Sequence, residues 1–478
     1  MKKRKNIIFI LPDQMRADFV GCYGATFAQT PHLDALAREG VKYENCISPS
    51  PLCVPARASM LTGFNAIHNG VTGNNTWLRP DHEKCGISTW PSQLSCCGYD
   101  TIAIGKMHFY PWDAREGFER RIICEDKRHV KINDDYALHL KTKGLHKYQG
   151  KDLDGFIKNK GAAFNPFPKE DQADNWITEQ TCQVLNEKHE KPFAMMVGFL
   201  SPHCPYDPDK DDEAIFENRE MPKPYAHTKE SDTLLPHVID VNKRPWNGID
   251  YTNFSEAEKI KVRRHYCGLI HNIDTCVGKI IKSLKDNHLY DDTIIIFTSD
   301  HGDFVGDYGM IGKEYFYEPS IHVPLIVRDS DTKTTKNTYN SIVSTTDIHA
   351  TLKHLAGYHH AETEDSKVLP SLGGFEDTER KIFGAIETGF MVRDNTYKYT
   401  QYFNGLIELY NIKEDPHEQQ NLAEKASLLP LIRTYQSFLQ SKIITSINAS
   451  NKEKCFHRSE SFYERNWLRE YPHFIKQN

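Results

Sequence analysis

Short runs of apolar, often β-branched residues recur along the first two thirds of the chain. They are "NIIFILP" (6–12), "TIAIG" (101–105), "FAMMVGFL" (193–200), "TIIIFTS" (293–299) and "PLIVR" (324–328). Each run is continuously apolar instead of alternating with polar residues, which is typical of strands buried on both faces of a sheet. Helical patterns lie between them, the longest over 256–287. This order predicts an α/β fold with a mostly parallel central sheet flanked by helices.

The pattern changes after about residue 380. Segments 381–402 and 406–412 predict antiparallel strands, and a turn and a helix at about 421–441 follow. A chain of 478 residues exceeds what one hydrophobic core usually serves. We therefore predict a catalytic α/β domain over 1–375 and a smaller α+β subdomain over 376–478. The aromatic and basic tail, 450–478, is expected to pack back onto the body.

Polar side chains directly follow four of the predicted strands. The stretches are "PDQMR" (12–16), "GKMHF" (105–109), "SPHCPY" (201–206) and "SDHGD" (299–303). In open α/β sheets the carboxyl ends of the strands meet at one edge, and ligands bind there. The four stretches therefore predict one convergent polar site.

Composition and charge narrow the classes of function. The chain has 59 basic and 65 acidic residues, a net charge of −6 and 39% hydrophobic residues, as in an ordinary globular protein. No excess of positive charge attracts nucleic acid, so an anionic substrate must be held by a few local cations. The twelve cysteines have no repeated spacing, which argues against a disulfide framework and favours a reducing compartment.

The N-terminus "MKKRKNIIFILPDQ" superficially resembles a secretory signal. Its apolar run has only five residues and no small-residue cleavage site follows, so it is better interpreted as the first buried strand. No stretch is long enough to cross a membrane. As written, the sequence predicts a cytoplasmic protein, or a periplasmic one if a leader precedes it.

Four of the strand-end residues suit a hard divalent cation. Asp13 and Asp300 offer carboxylates, Gln14 an amide oxygen and His301 a ring nitrogen. Such oxygen-rich donors suit Ca²⁺, Mg²⁺ or Mn²⁺ better than Zn²⁺. The alternative is that the two aspartates only cap the helices that follow them.

Four further side chains are candidates for holding a tetrahedral oxyanion beside that cation. They are Lys106, His108, His203 and Lys313. Fixed positive charge and hydrogen-bond donors stabilise the charge that develops on such a group during its transfer. Alternatively, Lys313 is a solvated loop lysine and His203 a turn residue flanked by proline.

The stretch "CVPARASMLTG" (53–63) contains a cysteine with no second cysteine at the spacing of a structural metal site. It resembles the signature of the sulfatase family, in which Cys-x-Pro-x-Arg is followed by Thr-Gly. The resemblance extends over nearly the whole chain, from 30–46 through the four strand-end stretches and Lys313 to 408–423. It implies an alkaline phosphatase-like fold and a sulfuric ester hydrolase.

The resemblance also implies a modified nucleophile. In the family, the cysteine matching Cys53 is converted to Cα-formylglycine by a maturation enzyme that recognises the following proline and arginine. One hydroxyl of the hydrated aldehyde, activated by the metal, attacks sulfur, and the second allows sulfate to leave. The resemblance implies that Arg57 holds the diol and that His108 orients it or acts as base. Lys106, His203 and Lys313 bind sulfate, with His203 or Lys313 protonating the leaving oxygen, and Cys53 joins the metal ligands.

The metal-site pairs depart from the commonest sulfatase pattern. Asp13-Gln14 and Asp300-His301 replace Asp-Asp and Asp-Asn, which resembles a branch that also contains phosphonate and phosphate monoester hydrolases. Ca²⁺ is the expected cation, with Mn²⁺ or Mg²⁺ as alternatives. Lys106 and His108 stand where phosphonate hydrolases usually have Tyr and Thr, which favours sulfate. Asn74 matches a substrate-contacting position of the branch, although Asn in a Gly-rich turn is often structural.

The expected substrate is a sulfated carbohydrate of the glycosaminoglycan or algal type, with an aryl or choline sulfate as the alternative. A phosphonate or phosphate ester hydrolase, or a binding protein with unmodified Cys53, remain competing hypotheses. The variable segment 109–190 is predicted to build the pocket rim. Its candidate contacts are the basic Arg115, Arg120, Arg121, Lys127, Arg128 and His129 and the aromatic Tyr110, Trp112, Phe118 and Trp176.

Overall fold

Three β-sheets organise the computed structural model, which describes residues 4–126, 129–226, 242–243, 245–331, 336–358 and 360–450. The strands of the two mixed sheets are β1 (Asn6–Asp13), β2 (Val41–Tyr43), β3 (Cys46–Ile47), β4 (Asp100–Gly105), β5 (Arg120–Ile123), β6 (Phe193–Pro202), β7 (Thr293–Thr298), β8 (His322–Val323), β9 (Leu325–Arg328), β10 (Thr338–Tyr339) and β11 (Val343–Ser344). The C-terminal sheet contains β12 (Ile382–Ile386), β13 (Gly389–Arg393), β14 (Tyr397–Tyr402) and β15 (Ile407–Asn411).

The central sheet has eight strands in the order β10-β2-β9-β7-β1-β6-β4-β5. Strand β1 lies in the middle and pairs in parallel with β6 and β7, while β4 pairs in parallel with β6 and β5. Only β9 runs antiparallel to its neighbours β2 and β7. The five predicted strands are all present within two residues of their predicted ends, and the predicted parallel sheet is confirmed.

The α-helices of the described residues cover both faces of this sheet and also pack against the C-terminal sheet. They are α1 (Pro31–Glu39), α2 (Cys53–Thr62), α3 (Ala66–Asn69), α4 (Trp90–Cys96), α5 (Asp135–Thr142), α6 (Ala173–Leu185), α7 (Lys210–Ala214), α8 (Glu256–Asp286), α9 (Glu318–Ile321), α10 (Asp347–Leu355) and α11 (Leu429–Ser450). The long helix predicted over 256–287 is α8. Short 3₁₀ turns complete the connections.

Strand β1 shows why the apolar runs are continuous. Ile8 and Ile10 point into a core shared with α1, α6 and α8. Ile7, Phe9 and Leu11 point into a second core shared with α2, α4 and α10. Because successive side chains alternate between the two faces, a strand covered on both sides must be apolar throughout.

The C-terminal sheet is an antiparallel meander, β12-β13-β14-β15, with α11 packed against it. Its first strand reaches the large domain, where the amide of Ala385 donates to the carbonyl of Pro49 (3.0 Å) and Ser50 Oγ donates to the carbonyl of Ala385 (2.8 Å). The predicted helix at about 421–441 is wrong at its start, since α11 begins at Leu429. The boundary at 375/376 stays a prediction, and the tail from 451 lies outside the described residues.

Two further properties bear on the sequence predictions. Among the residues that the structure describes, no helix is both long and apolar enough to span a bilayer. The cysteines of those same residues form no disulfide with one another.

Candidate active site

The signature segment forms α2, and this helix begins at Cys53 itself. All ten residues of the helix are buried, and Cys53 is 1% exposed. The Oδ1 atom of Asn74 accepts from the amide of Val54 at 3.0 Å and so satisfies one free donor of the first turn. The helix ends at Thr62 and is capped by Gly63, whose φ of 74° favours glycine. The thiol therefore lies at the positive end of a buried helix, where an anion is stabilised.

Three other predicted ligands meet around this thiol. One donor atom from each of Asp13, Cys53, Asp300 and His301 lies within 4.8 Å of the others, and all four residues are buried. His301 Nε2 lies 3.2 Å from Cys53 Sγ and 3.9 Å from both Asp13 Oδ1 and Asp300 Oδ1. Asp13 ends β1 and Asp300 follows β7, its parallel neighbour, so the sheet register brings them together. Two carboxylates this close together are a donor set that fits a hard cation.

Gln14 lies beside this group in a left-handed backbone conformation with a φ of 76°. Its backbone amide donates to Asp300 Oδ1 at 3.0 Å. The side-chain oxygen accepts from Lys313 Nζ at 2.7 Å, and the side-chain nitrogen donates to Asp303. The oxygen is thus oriented toward the other site residues, and its role as a metal ligand stays a prediction.

Arg57 connects three elements from the first turns of α2. Its Nε donates to Asp300 Oδ2 at 2.9 Å, and its two terminal nitrogens donate to the carbonyl of Lys106 (2.8 Å) and to Asp13 Oδ2 (3.4 Å). Burial alone lowers the pKa of a guanidinium, but Asp300 and Asp13 raise the pKa of Arg57 above its usual value. The side chain therefore stays charged and fixes the carboxylates.

Lys106 is a buried ammonium between two carboxylates. Its Nζ lies 2.7 Å from Asp13 Oδ2 and 2.9 Å from Asp126 Oδ2. Burial opposes ionisation of Asp13, yet Lys106 and Arg57 hold its pKa well below the usual range. Asp13 is therefore an anion, available to a cation on its other oxygen.

Lys313 and His203 form a second polar pair, with 2.8 Å between Lys313 Nζ and His203 Nε2. His203 Nδ1 lies 2.7 Å from the carbonyl of Cys204 and therefore donates to it, so Nε2 is the acceptor for the ammonium. The ring of Trp246 packs 5.2 Å from the ring of His203. A loop after β6 and a loop after β7 thus place one cation and one neutral imidazole together.

His108 is held by its backbone. It has a φ of 62°, and its amide donates to both carboxylate oxygens of Glu125 at 3.1 and 3.2 Å. Burial, and then Lys106, lower the pKa of its imidazole well below the usual value, which keeps the ring neutral. Its Nδ1 is buried and has no hydrogen-bond partner among the residues that the structure describes. A neutral imidazole of this kind is able to accept a proton.

Three acidic residues at the site escape the sequence prediction. Asp303 accepts from Tyr206 Oη (2.7 Å), from the amide of Gly312 (2.8 Å) and from the side chain of Gln14. Asp126 pairs with Lys106, and Glu125 holds the backbone of His108. Glu125 and Asp126 follow the short strand β5, so the strand-end signal that revealed the other residues was present here too. Asp303 closes the stretch "SDHGD" itself.

Several of the side chains predicted as rim contacts are engaged elsewhere. Phe118 and Trp176 are buried in the two main cores and do not reach a ligand. Arg121 is buried beside Glu125, and Arg120 pairs with Glu187 at 2.6 Å. Tyr110 is exposed, and His129 packs 6.0 Å from the ring of His108. Lys127 and Arg128 lie outside the described residues, and Trp246 was not predicted.

Comparison with known proteins decides the family. The model of the Sulfatase family matches residues 5–358 of this chain. The chain belongs to the sulfatase family. A second model, described as N-sulphoglucosamine sulphohydrolase, C-terminal, matches residues 306–445 of this sulfatase.

Individual relatives of this sulfatase are distant but cover most of it. It is 28% identical to the multifunctional alkaline phosphatase superfamily protein PehA of Trinickia caryophylli, over 90% of this chain and 94% of that protein. It is 25% identical to the N-acetylglucosamine-6-O-sulfatase of Bacteroides thetaiotaomicron, over 89% and 83%. The solved phosphonate monoester hydrolase of Agrobacterium radiobacter superposes with a TM-score of 0.80 at 23% identity, over 93% and 96%. Family and fold identify this protein as a sulfuric ester hydrolase with an alkaline phosphatase-like architecture.

Proposed function

We propose that this sulfatase removes sulfate from a sulfated carbohydrate, using a formylglycine made from Cys53 and a bound divalent cation. One observation carries the proposal. The Cys53 thiol begins a buried helix and lies 3.2 Å from His301 Nε2 and 3.7 Å from Asp13 Oδ1, inside the candidate cation site. The similarity to an N-acetylglucosamine-6-O-sulfatase supports a sugar substrate.

The donor chemistry supports a hard cation. Asp13, Asp300, His301, Gln14 and the modified side chain at position 53 would hold it, and Ca²⁺ fits this oxygen-rich set, with Mn²⁺ or Mg²⁺ as alternatives. When bound, the cation stabilises negative charge on the nucleophile and on the sulfate oxygens. Formylglycine supplies one hydroxyl for attack on sulfur and a second whose deprotonation re-forms the aldehyde and expels sulfate.

The remaining roles follow from protonation states. Arg57 stays charged and holds Asp13 and Asp300 in place. Lys106 and Lys313 supply fixed positive charge for sulfate oxygens, because a preorganised charge in a buried site needs no reorganisation during the reaction. Lys313 donates to His203 Nε2, so this pair is able to pass a proton to the leaving oxygen. Neutral His108 is the base that takes the proton when sulfate is released.

The likeness in fold to a phosphonate monoester hydrolase favours a second candidate, hydrolysis of phosphonate or phosphate esters. Sulfate and phosphonate monoesters each carry one negative charge, so charge alone does not separate them. Sulfuryl transfer gathers charge on the leaving oxygen, where a proton donor and fixed cations help most. Lys106, His108, His203 and Lys313 supply more such groups than the Tyr and Thr expected in phosphonate hydrolases.

The first experiment follows position 53. Mass spectrometry of the peptide around Cys53 from active protein should show two hydrogens and sulfur replaced by one oxygen. Cys53→Ala should abolish turnover and keep the fold. Cys53→Ser should stop after one turnover, since serine has only one hydroxyl. Sustained turnover by the serine variant would contradict the formylglycine mechanism.

The second experiment compares substrates and metals. One metal-loaded preparation should hydrolyse an aryl sulfate, and better a sulfated sugar, with a higher kcat/KM than the matching phenylphosphonate ester. Chelation should remove the activity, and Ca²⁺ or Mn²⁺ should restore it. Preference for the phosphonate ester would establish the second candidate, and full activity without metal would exclude the proposed ligand set.

A further inference from the structure

A cavity of about 340 Å³ adjoins the candidate active site on the side of the histidines. The described residues that line it are His129, Gln149, Gly150, Lys151, Phe156, Cys204, Pro205, Trp246 and Asn247. Its volume is at the lower end of the range of small-molecule sites, which suits one or two sugar rings and not a long chain segment.

Two ring contacts link this cavity to the reacting groups. On one side, His129 packs 6.0 Å from the ring of His108. On the other side, Trp246 packs 5.2 Å from the ring of His203, and Lys313 Nζ lies 5.7 Å from the centre of its indole. Cys204 and Pro205 directly follow His203 in the chain. A substrate whose sulfate lies between these groups therefore extends its leaving group into the cavity.

Trp246 is the main apolar surface of this cavity. It is 47% exposed, although a large aromatic side chain of this kind is usually buried. The next residue fixes the loop, because Asn247 Nδ2 donates to Tyr251 Oη at 3.0 Å and Asn247 Oδ1 accepts from the amide of Ile249 at 3.1 Å. A flat, partly exposed indole held in this way offers a face for an apolar ring surface.

The charge of the lining narrows the class of leaving group. Lys151 is exposed and brings an ammonium, Gln149 and Asn247 are neutral, and no carboxylate is among the lining residues that the structure describes. A quaternary ammonium such as that of choline would meet Lys151 with no acid among those lining residues. A sugar with a carboxylate or a second sulfate would instead gain a favourable partner.

From these observations we infer that the cavity is the leaving-group subsite, in which Trp246 stacks on the sugar ring and Lys151 selects for a second anionic group. This assignment rests on the proposed function. The stacked face makes Trp246 a determinant of affinity for all cyclic leaving groups. Lys151 is a determinant of specificity, because it acts only on substrates with an additional negative charge.

The test uses metal-loaded, modified enzyme and two sugars, N-acetylglucosamine 6-sulfate and glucosamine 2-N,6-O-disulfate. Trp246→Ala should lower kcat/KM for both sugars about tenfold or more, mainly through KM, and Trp246→Phe should restore most of it. Lys151→Ala should lower kcat/KM about fivefold for the disulfate and leave the monosulfate unchanged. Lys158→Ala, which removes an exposed lysine seven positions away that does not line the cavity, is the matched control.

The outcomes separate this inference from the proposed function. If the wild-type enzyme hydrolyses neither sugar but cleaves a phosphonate ester, the proposed function fails. If it hydrolyses both sugars and Lys151→Ala affects them equally, or behaves like Lys158→Ala, the inference on Lys151 is wrong. Binding of the desulfated sugar to Cys53→Ala, measured by isothermal titration calorimetry, gives a readout without turnover. Unchanged binding after Trp246→Ala would exclude stacking.

Discussion

The candidate site contains buried side chains of opposite charge that neutralise one another. Asp13 and Asp300 are countered by Arg57 and Lys106, and Lys313 approaches from the far side. Removing one member of a buried pair is costly because it leaves the other charge uncompensated. A mutation here therefore affects both stability and chemistry, and a control must separate the two.

Lys106 gives the first prediction at this scale. Lys106→Ala should lower kcat/KM for a sulfate ester on the order of 10²-fold or more, as for the loss of one preorganised transition-state donor. Steady-state kinetics measure the loss. Lys398→Ala is the matched control, since Lys398 is also a buried ammonium and lies 3.3 Å from Glu318, outside the site. An equal loss of activity in both variants would indicate a structural role for Lys106.

Asp303 gives the second prediction. It touches no proposed substrate group but orients Gln14 and the loop that carries Lys313. Asp303→Asn should weaken cation binding about 10- to 100-fold, the usual effect of losing a partner behind the metal ligands. The cation is first removed with a chelator and the chelator is dialysed away. Isothermal titration of this metal-free protein with Ca²⁺ or Mn²⁺ then measures the affinity.

The control for this variant is Asp307→Asn in the same loop. Asp307 is buried and pairs with Arg16 at 2.6 Å and with Arg263, away from the ligand set. This variant should lose stability and keep its affinity for the cation. If both variants bind the cation equally, Asp303 does not position the site.

At the scale of elements, the sequence predicts the sheet and the convergence of the site well. In a globular chain, short continuous apolar runs mostly form strands that are buried on both faces of a sheet. Parallel strands bring their carboxyl ends to one edge of the sheet, whatever segments connect them. The features that the sequence does not predict depend on contacts with residues distant in the chain. The stretch 421–423 does not start a helix, because its polar groups bond to strand β15 instead. The backbone amide of Leu422 donates to the carbonyl of Leu409 (2.7 Å), and Asn421 Oδ1 accepts from the amide of Leu409 (3.0 Å). Trp246 stands in a segment without periodicity, so no pattern marks it.

Helix α2 supplies the prediction at this scale. Asn74 was predicted to contact substrate, and the structure shows its Oδ1 accepting from the amide of Val54. Asn74→Ala should destabilise the protein by about 1 kcal/mol, as for loss of a helix N-cap. Asn74→Asp keeps an acceptor oxygen and should restore the stability, which thermal unfolding measures. If the aspartate variant regains stability but its KM stays raised, Asn74 also contacts substrate.

At the scale of the whole molecule, a buried charged cluster joins the two predicted units. Tyr317 and Glu318 come from the large domain, while Lys398, Glu408 and Glu418 come from the meander and the turn after it. Tyr317 Oη donates to Glu408 Oε1 at 2.6 Å, and Lys398 lies 3.3 Å from Glu318. Burial raises the pKa of Glu408 to about 7. The junction therefore contains a group that titrates near neutral pH.

The sign of the pH effect follows from that shift. The unfolded pKa of Glu is about 4.3, so the folded state binds this proton more tightly than the unfolded state does. Its contribution is complete below about pH 4 and is lost as pH rises through about 7, on the order of 3–4 kcal/mol. Glu408→Gln keeps an acceptor for Tyr317 and should flatten the fall in unfolding temperature between pH 5 and 8. Glu414→Gln, at an exposed position nearby, should leave the fall unchanged.

The hydrogen bonds between β12 and the loop before α2 have a consequence in time. Pro49 and Ser50 form their hydrogen bonds with Ala385, which is synthesised much later. During synthesis the segment around Cys53 is therefore not fully anchored until residue 385 has left the ribosome. At the usual speed of translation this delay is roughly 20 to 70 s. In the finished fold the thiol is almost completely enclosed, so an enzyme that modifies it must act within this interval. Under the proposed mechanism, the yield of active protein becomes a competition between the rate of that enzyme and the speed of synthesis.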